Sequence, residues 1–174
     1  MSDLEVLYAN LVKEKNLDYD KYQYNALKVL DNLKTQILNS LSTKKLRTLF
    51  GKLFFLKHYQ QKSFFHNGIY LYGGVGTGKT MIMDLFFQGL NITEKQRVHF
   101  HEFMHDFHQK TKKIRIKKNK DPIKKICSEI AKDIKVLCFD EFQIVDITDA
   151  MIVGRLFDEL IKKKVIIITT SNFK

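Results

Sequence analysis

The stretch that decides the fold is Gly73-Gly74-Val75-Gly76-Thr77-Gly78-Lys79-Thr80. It fits the phosphate-binding pattern of Gly, four residues and Gly-Lys-Thr, and it lies between an apolar run and an amphipathic run. The glycines permit backbone conformations closed to other residues and let successive amides face phosphate oxygens. Lys79 can reach the outer phosphates, and the Thr80 hydroxyl can complete the coordination of Mg²⁺. The pattern therefore predicts a nucleotide site, and the alternative interpretation is a Gly-rich turn.

Short β-type runs alternate with helical stretches on both sides of this loop. The strands are expected at residues 69–72, 97–100, 135–139 and 165–170. The helices are expected to begin near Thr80, Glu102, Pro122 and Asp149, with Asp121 as a capping residue before Pro122. Strands that alternate with helices predict an α/β fold with a parallel sheet.

The first sixty residues show helical spacing instead. Apolar residues recur in three stripes, which begin at Leu4, Ala26 and Leu46, and the third stripe follows a Ser42-Thr43 start signal and runs to Phe54. We therefore expect a helical N-terminal segment, residues 1–62, and a phosphate-loop core, residues 63–174.

Two acids follow the third apolar run directly. Asp140 is expected to emerge at the carboxyl end of a buried strand, where it can hold the metal with Thr80. Glu141 can polarise a water for attack on the terminal phosphate, which favours hydrolysis over kinase chemistry. The sequence has neither Asn-Lys-x-Asp nor Asp-x-x-Gly, which argues against a GTPase. The alternative for the two acids is a helix-capping turn.

Composition limits the class of protein. The 174 residues include 30 Lys and Arg against 19 Asp and Glu, for a net charge of +11, and only two cysteines. A disulfide framework is excluded, and both cysteines are interpreted as buried thiols. No apolar run is long enough for a membrane span. The opening residues resemble neither a secretory signal nor a mitochondrial presequence, so a cytoplasmic location is expected.

Three stretches, residues 71–87, 97–104 and 138–157, resemble the ZapE-type cell-division ATPases of bacteria and their mitochondrial Afg-type relatives. Asp20, Gln23, Ala26 and Leu27 resemble the opening helix of the same family. The resemblance implies an AAA+-like P-loop ATPase with a three-layer sandwich, and in bacteria an effect on the division ring.

The resemblance also implies roles for single residues. Gly78, Lys79 and Thr80 match the nucleotide loop, Asp140 the metal acid and Glu141 the catalytic acid. Asn172 matches the sensor that touches the γ-phosphate or the attacking water, with Thr170 and Ser171 as further candidates.

Family members of this kind continue beyond Asn172, so the resemblance covers about the first half of one. The family's fifth strand, its helical lid and its trans-acting arginine are therefore expected to be missing. The strand at residues 69–72 would then lie at a sheet edge. We expect weak ATP binding and little turnover by this chain alone, with a homo-oligomer or a complementary C-terminal half as a partner.

Three alternatives stay open. His101-Glu102-Phe103-Met104-His105 matches the H-E-x-x-H zinc protease pattern. Residues 110–125 hold nine Lys or Arg and one acid, which suits either a solvated helix end or a nucleic-acid surface of the helicase-loader kind. The chain could also be an interaction fragment without catalysis, whose melting temperature ATP would not raise.

Overall fold

The computed structural model describes residues 2–14, 17–49, 68–116 and 121–173, without the side chains of residues 43–49 and 116. The chain divides into two units, Met1–His66 and Asn67–Lys174, and each is described by itself. The expected domain boundary between residues 62 and 63 lies outside the described residues. No helix within the described ranges has the length and apolar character to cross a bilayer.

The first unit contains a helical pair, α1 (Asp3–Glu14) and α2 (Lys21–Leu49). Asp20 caps α2, because its Oδ1 accepts the backbone N–H of Tyr22 at 2.7 Å. The buried Tyr8 joins the two helices through its hydroxyl, which accepts the N–H of Asp20 at 3.2 Å and donates to Gln23 Oε1 at 3.1 Å. The cap of α2 is therefore attached to α1.

The expected helix start at Ser42-Thr43 is wrong. Helix α2 runs without a break through both residues. The Ser42 hydroxyl donates to the Leu38 carbonyl at 2.9 Å, one turn earlier, so it bonds within the helix and does not cap a new one. The rest of the third stripe, from Phe50 to Phe54, lies outside the described residues.

The second unit alternates strands and helices. Its strands are β1 (Gly68–Tyr72), β2 (Lys95–His99), β3 (Val136–Asp140) and β4 (Ile166–Ser171). Its helices are α3 (Lys79–Gly89), α4 (Phe100–Ile116), α5 (Pro122–Asp133) and α6 (Ile147–Lys162). The strands form one parallel sheet in the order β1-β4-β3-β2. The predicted α/β fold with a parallel sheet is confirmed.

The strand order places β3 and β4 in the middle, where every residue of both strands is buried. Strand β1 pairs with β4 alone among the described strands, so it lies at an edge, as expected. Strand β2 ends one residue before the expected position, and Phe100 begins α4. Phe100 is buried there because its ring packs against two others: the ring centroid lies 4.5 Å from that of Phe142 and 5.6 Å from that of Phe139.

The two faces of the sheet carry different layers. Leu137, Phe139 and Ile167 share one buried core with α4, α5 and α6. Successive side chains of a strand point to opposite faces, so Asp140 points away from this core. Asp140 bonds there to an arginine that also reaches α3. Helix α3 therefore covers the opposite face, and the three-layer sandwich is confirmed.

Two local expectations are also confirmed. Asp121 caps α5 by accepting the N–H of Lys124 at 3.3 Å, with Pro122 in the first turn. Cys127 and Cys138 are buried free thiols. Burial raises the pKa of Cys127 to about 11 and that of Cys138 to about 12, so both stay protonated at neutral pH.

Candidate active site

The loop of residues 73–78 joins β1 to α3. Gly76 and Gly78 both have φ of 80°, in the left-handed region that favours glycine. Gly78 is the N-cap of α3 and makes no side-chain cap hydrogen bond. Gly78 therefore does not occupy the backbone amides in the first turn of α3. These amides, together with the helix dipole, can bind an anion.

Lys79 lies over this loop. Its Nζ donates to the carbonyl oxygens of Gly73 at 2.8 Å and Gly74 at 2.6 Å. The Thr77 hydroxyl also donates to Gly74, at 2.9 Å. The ammonium group is therefore held at the loop that would surround the phosphates.

The end of β4 connects this loop to the turn that carries the two acids. The N–H of Gly73 donates to the Ser171 carbonyl at 3.2 Å, and the N–H of Phe142 donates to the Thr170 carbonyl at 2.7 Å. Strands β1 and β3 both pair with β4, so they run about 10 Å apart. The phosphate loop and the turn with the two acids are thus hydrogen-bonded to consecutive carbonyls of the buried strand β4.

Glu141 has an unusual backbone conformation. Its φ is 54°, in the left-handed region where few residues other than glycine lie. The Thr170 hydroxyl stabilises the turn, because it accepts the Glu141 N–H at 3.2 Å and donates to Asp140 Oδ1 at 3.5 Å. The Glu141 side chain is 72% exposed, and its Oε2 lies 4.0 Å from Nδ1 of His99, the last residue of β2. The turn therefore presents this carboxylate to solvent.

Asp140 belongs to an ion cluster that the sequence did not predict. The Arg97 guanidinium donates from Nε to Asp140 Oδ2 at 2.6 Å and from Nη2 to Oδ1 at 3.2 Å. Its Nη1 bonds to Oδ1 of Asp84 on α3. Burial alone would lower the pKa of Arg97, but the bonds to Asp140 and Asp84 outweigh burial and raise it. The arginine therefore stays charged between the two acids.

The donor chemistry of Thr80 and Asp140 suits magnesium. Mg²⁺ takes oxygen ligands and is usually held by one or two carboxylates, with substrate phosphates and waters in the other positions. A carboxylate offers about four lone-pair sites. Arg97 and Thr170 occupy sites on Asp140, and the remaining capacity can accept a metal.

Asn172 follows β4 directly and is exposed. It lies at the same sheet edge as the loop and the acids, where a sensor is expected. Thr170, a further sensor candidate, is buried. Its hydroxyl bonds to the Asp140 carboxylate and to the backbone N–H of Glu141.

A family model of AFG1-like ATPases matches residues 3–174. The chain belongs to the AFG1-like ATPase family. It is 36% identical to the cell division protein ZapE of Escherichia coli over an alignment of 169 residues that covers 95% of this chain and 44% of the relative. It is 46% identical to lactation elevated protein 1 homolog B of Danio rerio over an alignment of 114 residues that covers 60% of this chain and 23% of the relative.

A solved structure supports the fold of this chain. The chain matches a solved structure of PCH-2 of C. elegans with a TM-score of 0.51 and 18% identity, over 90% of this chain and 39% of that one. At this identity the match shows the fold alone. The chain spans less than half the length of each of these proteins.

The H-E-x-x-H pattern lies at the start of α4. His101 and His105 are exposed, and His105 Nε2 lies 2.7 Å from the side-chain nitrogen of Gln109. The described residues contain no group of three or more His, Cys, Asp or Glu that could hold a metal ion. A catalytic zinc site needs three protein ligands, so the zinc protease alternative has no support within those residues.

The basic segment forms the end of α4 and the start of α5. Lys110, Lys112, Lys113 and Arg115 are exposed, and Lys124 pairs with Asp121 at 4.0 Å. Residues 117–120 lie outside the described residues. The exposed side chains fit the solvated-surface interpretation as well as anion binding.

Proposed function

We propose that this AFG1-like ATPase binds ATP with Mg²⁺ in the loop of residues 73–80 and hydrolyses it at the Asp140-Glu141 turn. The main support is the attachment of both segments to the end of β4, through the Ser171 and Thr170 carbonyls. Parallel strands present their carboxyl ends at one edge of a sheet, and that edge is where α/β proteins bind ligands.

Binding is assigned to the loop and to α3. The backbone amides of residues 74–78 and the N-terminus of α3 would contact phosphate oxygens, with Lys79 as the counter-charge for the outer phosphates. Lys79 already bonds to two loop carbonyls, so a short rotation of its side chain would carry the ammonium to a phosphate. Thr80 and Asp140 would hold Mg²⁺, which neutralises charge on the terminal phosphates.

Hydrolysis is assigned to Glu141. Its exposed carboxylate would accept a proton from the attacking water. Thr170 bonds to the turn and keeps the Glu141 backbone in its left-handed conformation. Asn172, at the end of the adjacent strand, would contact the γ-phosphate or the water, as in the family that the sequence resembles.

Lys79→Met tests nucleotide binding. For the unsubstituted chain, ATP with Mg²⁺ at about a hundred times the dissociation constant should add about 2.7 kcal/mol to the free energy of unfolding. Lys79→Met should lose this gain, because the phosphates lose their nearest mobile cation. Thermal unfolding with and without ATP measures the effect, and Lys132→Met, on an exposed position of α5, is the matched control.

An unsubstituted chain whose melting temperature ATP does not raise would contradict the proposal and favour the interaction-fragment alternative. Equal ATP stabilisation of the Lys79→Met variant would remove Lys79 from the site.

We further propose cell division as the setting, because the Escherichia coli relative carries that name and matches 95% of this chain. Since the chain covers 44% of that relative, the test uses a chimera in which residues 3–174 replace the matching part of ZapE. In cells whose division is impaired by loss of ZapE, the chimera should restore normal cell length, and its Lys79→Met form should not. Equal restoration by both forms would separate any division role from nucleotide binding.

A further inference from the structure

The Arg97 cluster connects the two segments that would hold magnesium. Arg97 lies on β2, Asp140 ends β3 and Asp84 lies on α3. Asp84 is four residues after Thr80, so the two side chains lie on the same face of α3, one turn apart. The Arg97 guanidinium thus connects Asp140 to α3, the helix that carries Thr80.

We propose that Arg97 is a positioning residue for the magnesium site, which orients the Asp140 carboxylate and ties it to α3 through Asp84. This inference rests on the proposed function, since it concerns how the same site holds its metal. Groups that orient a metal ligand commonly affect metal affinity by about 10- to 100-fold when they are removed.

The geometry of the cluster requires an arginine. Two bonds from adjacent nitrogens meet both oxygens of Asp140, and a third nitrogen reaches Asp84. The planar guanidinium places these donors on three separate nitrogens, whereas the three donors of a lysine share one nitrogen and cannot reach both acids in this way. The Asp140 side chain is only 12% exposed, so its orientation depends on these protein bonds and little on water.

Charge and positioning predict opposite effects of removing Arg97. With Arg97 charged, the two carboxylates and the guanidinium carry one net negative charge. Removal of the guanidinium leaves two negative charges, and attraction alone would then strengthen Mg²⁺ binding. Loss of positioning would weaken it. The direction of the change therefore distinguishes the two effects.

Lys95 provides a matched control. It lies two residues before Arg97, on the same face of β2, and it also bonds to the α3 segment, through the carbonyl oxygens of Phe87 and Leu90. The bonds of Lys95 go to the C-terminal end of α3 and those of Arg97 go to the acids. Lys95→Met therefore removes a cation between β2 and α3 without changing the Asp140 cluster.

The experiment measures binding of a fluorescent ATP analogue to the full chain, first in EDTA and then during a Mg²⁺ titration. Arg97→Met should keep the affinity seen in EDTA and raise the Mg²⁺ concentration for half-saturation about 10- to 100-fold. Arg97→Lys should behave like Arg97→Met, since it keeps the charge and loses the fork. Asp84→Asn should shift the half-saturation in the same direction by less, and Lys95→Met should not shift it.

Several outcomes would overturn the inference. Tighter or unchanged Mg²⁺ binding by Arg97→Met would do so, as would full rescue by Arg97→Lys. An equal loss of affinity with and without Mg²⁺, or an equal Mg²⁺ shift in Lys95→Met, would show a role in folding only. Absence of analogue binding by the unsubstituted chain would instead overturn the proposed function, and the inference with it.

Discussion

The Glu141→Gln variant should hydrolyse ATP about 10²- to 10⁴-fold more slowly than the unsubstituted protein, the usual contribution of a general base. Glutamine keeps the size of the side chain and loses the oxygen that can take a proton from water. Because the Glu141 side chain is exposed and its turn is stabilised through backbone bonds to Thr170, the substitution should leave folding and ATP binding unchanged.

Phosphate release measures this effect. The assay uses the chimera in which residues 3–174 replace the matching part of ZapE, because the chain covers only 44% of that relative. Glu129→Gln, an exposed acid on α5, is the control and should not change the rate. A Glu141→Gln rate within the range of that control would exclude Glu141 as the base. Parallel loss of ATP binding would show that the substitution disturbs the loop and not the chemistry.

Phe139→Ala should lower the free energy of unfolding by about 3–5 kcal/mol, the usual cost of truncating a buried aromatic side chain. Phe139 is fully buried, and its ring contacts those of Phe103 at 4.8 Å and Phe157 at 5.8 Å. It therefore joins β3 to both α4 and α6. Truncation to alanine would leave a cavity and remove the contacts of β3 with both helices.

Thermal or denaturant unfolding measures this loss. Phe173→Ala is the matched control, because Phe173 is 59% exposed and its truncation should change stability by no more than about 0.5 kcal/mol. Similar effects of the two substitutions would contradict the position of Phe139 in the core. Since Asp140 follows Phe139 directly, the same core also supports the acid.

Local patterns were sufficient for the parts of the site that lie close together in the chain. The glycine spacing before Lys79 reflects backbone conformations of neighbouring residues, and the structure has Gly76 and Gly78 in the left-handed region. The apolar run before Asp140 predicted a buried strand, and β3 is buried throughout. The functional roles of Lys79, Thr80, Asp140, Glu141 and Asn172 remain predictions.

Other features depended on partners far apart in the chain. Arg97 bonds to Asp84, 13 positions away, and to Asp140, 43 positions away. Thr170 bonds to Glu141 and Asp140, which are 29 and 30 positions away. The only signal for Arg97 was a charged residue within a strand. The Ser42-Thr43 error has a similar origin, because a hydroxyl that can cap a helix can also bond to the preceding turn, and the local sequence allows both.

The sequence by itself determined the phosphate-loop pattern, the parallel α/β fold and the adjacent acids, because each depends on spacing and hydrophobic pattern within a few residues. Only the tertiary structure decided that Arg97 joins Asp140 to α3 and that Thr170 supports the Glu141 turn. The reason is that β4 follows the other three described strands in the sequence and lies between β1 and β3 in the sheet, so these contacts exist only after distant strands have paired.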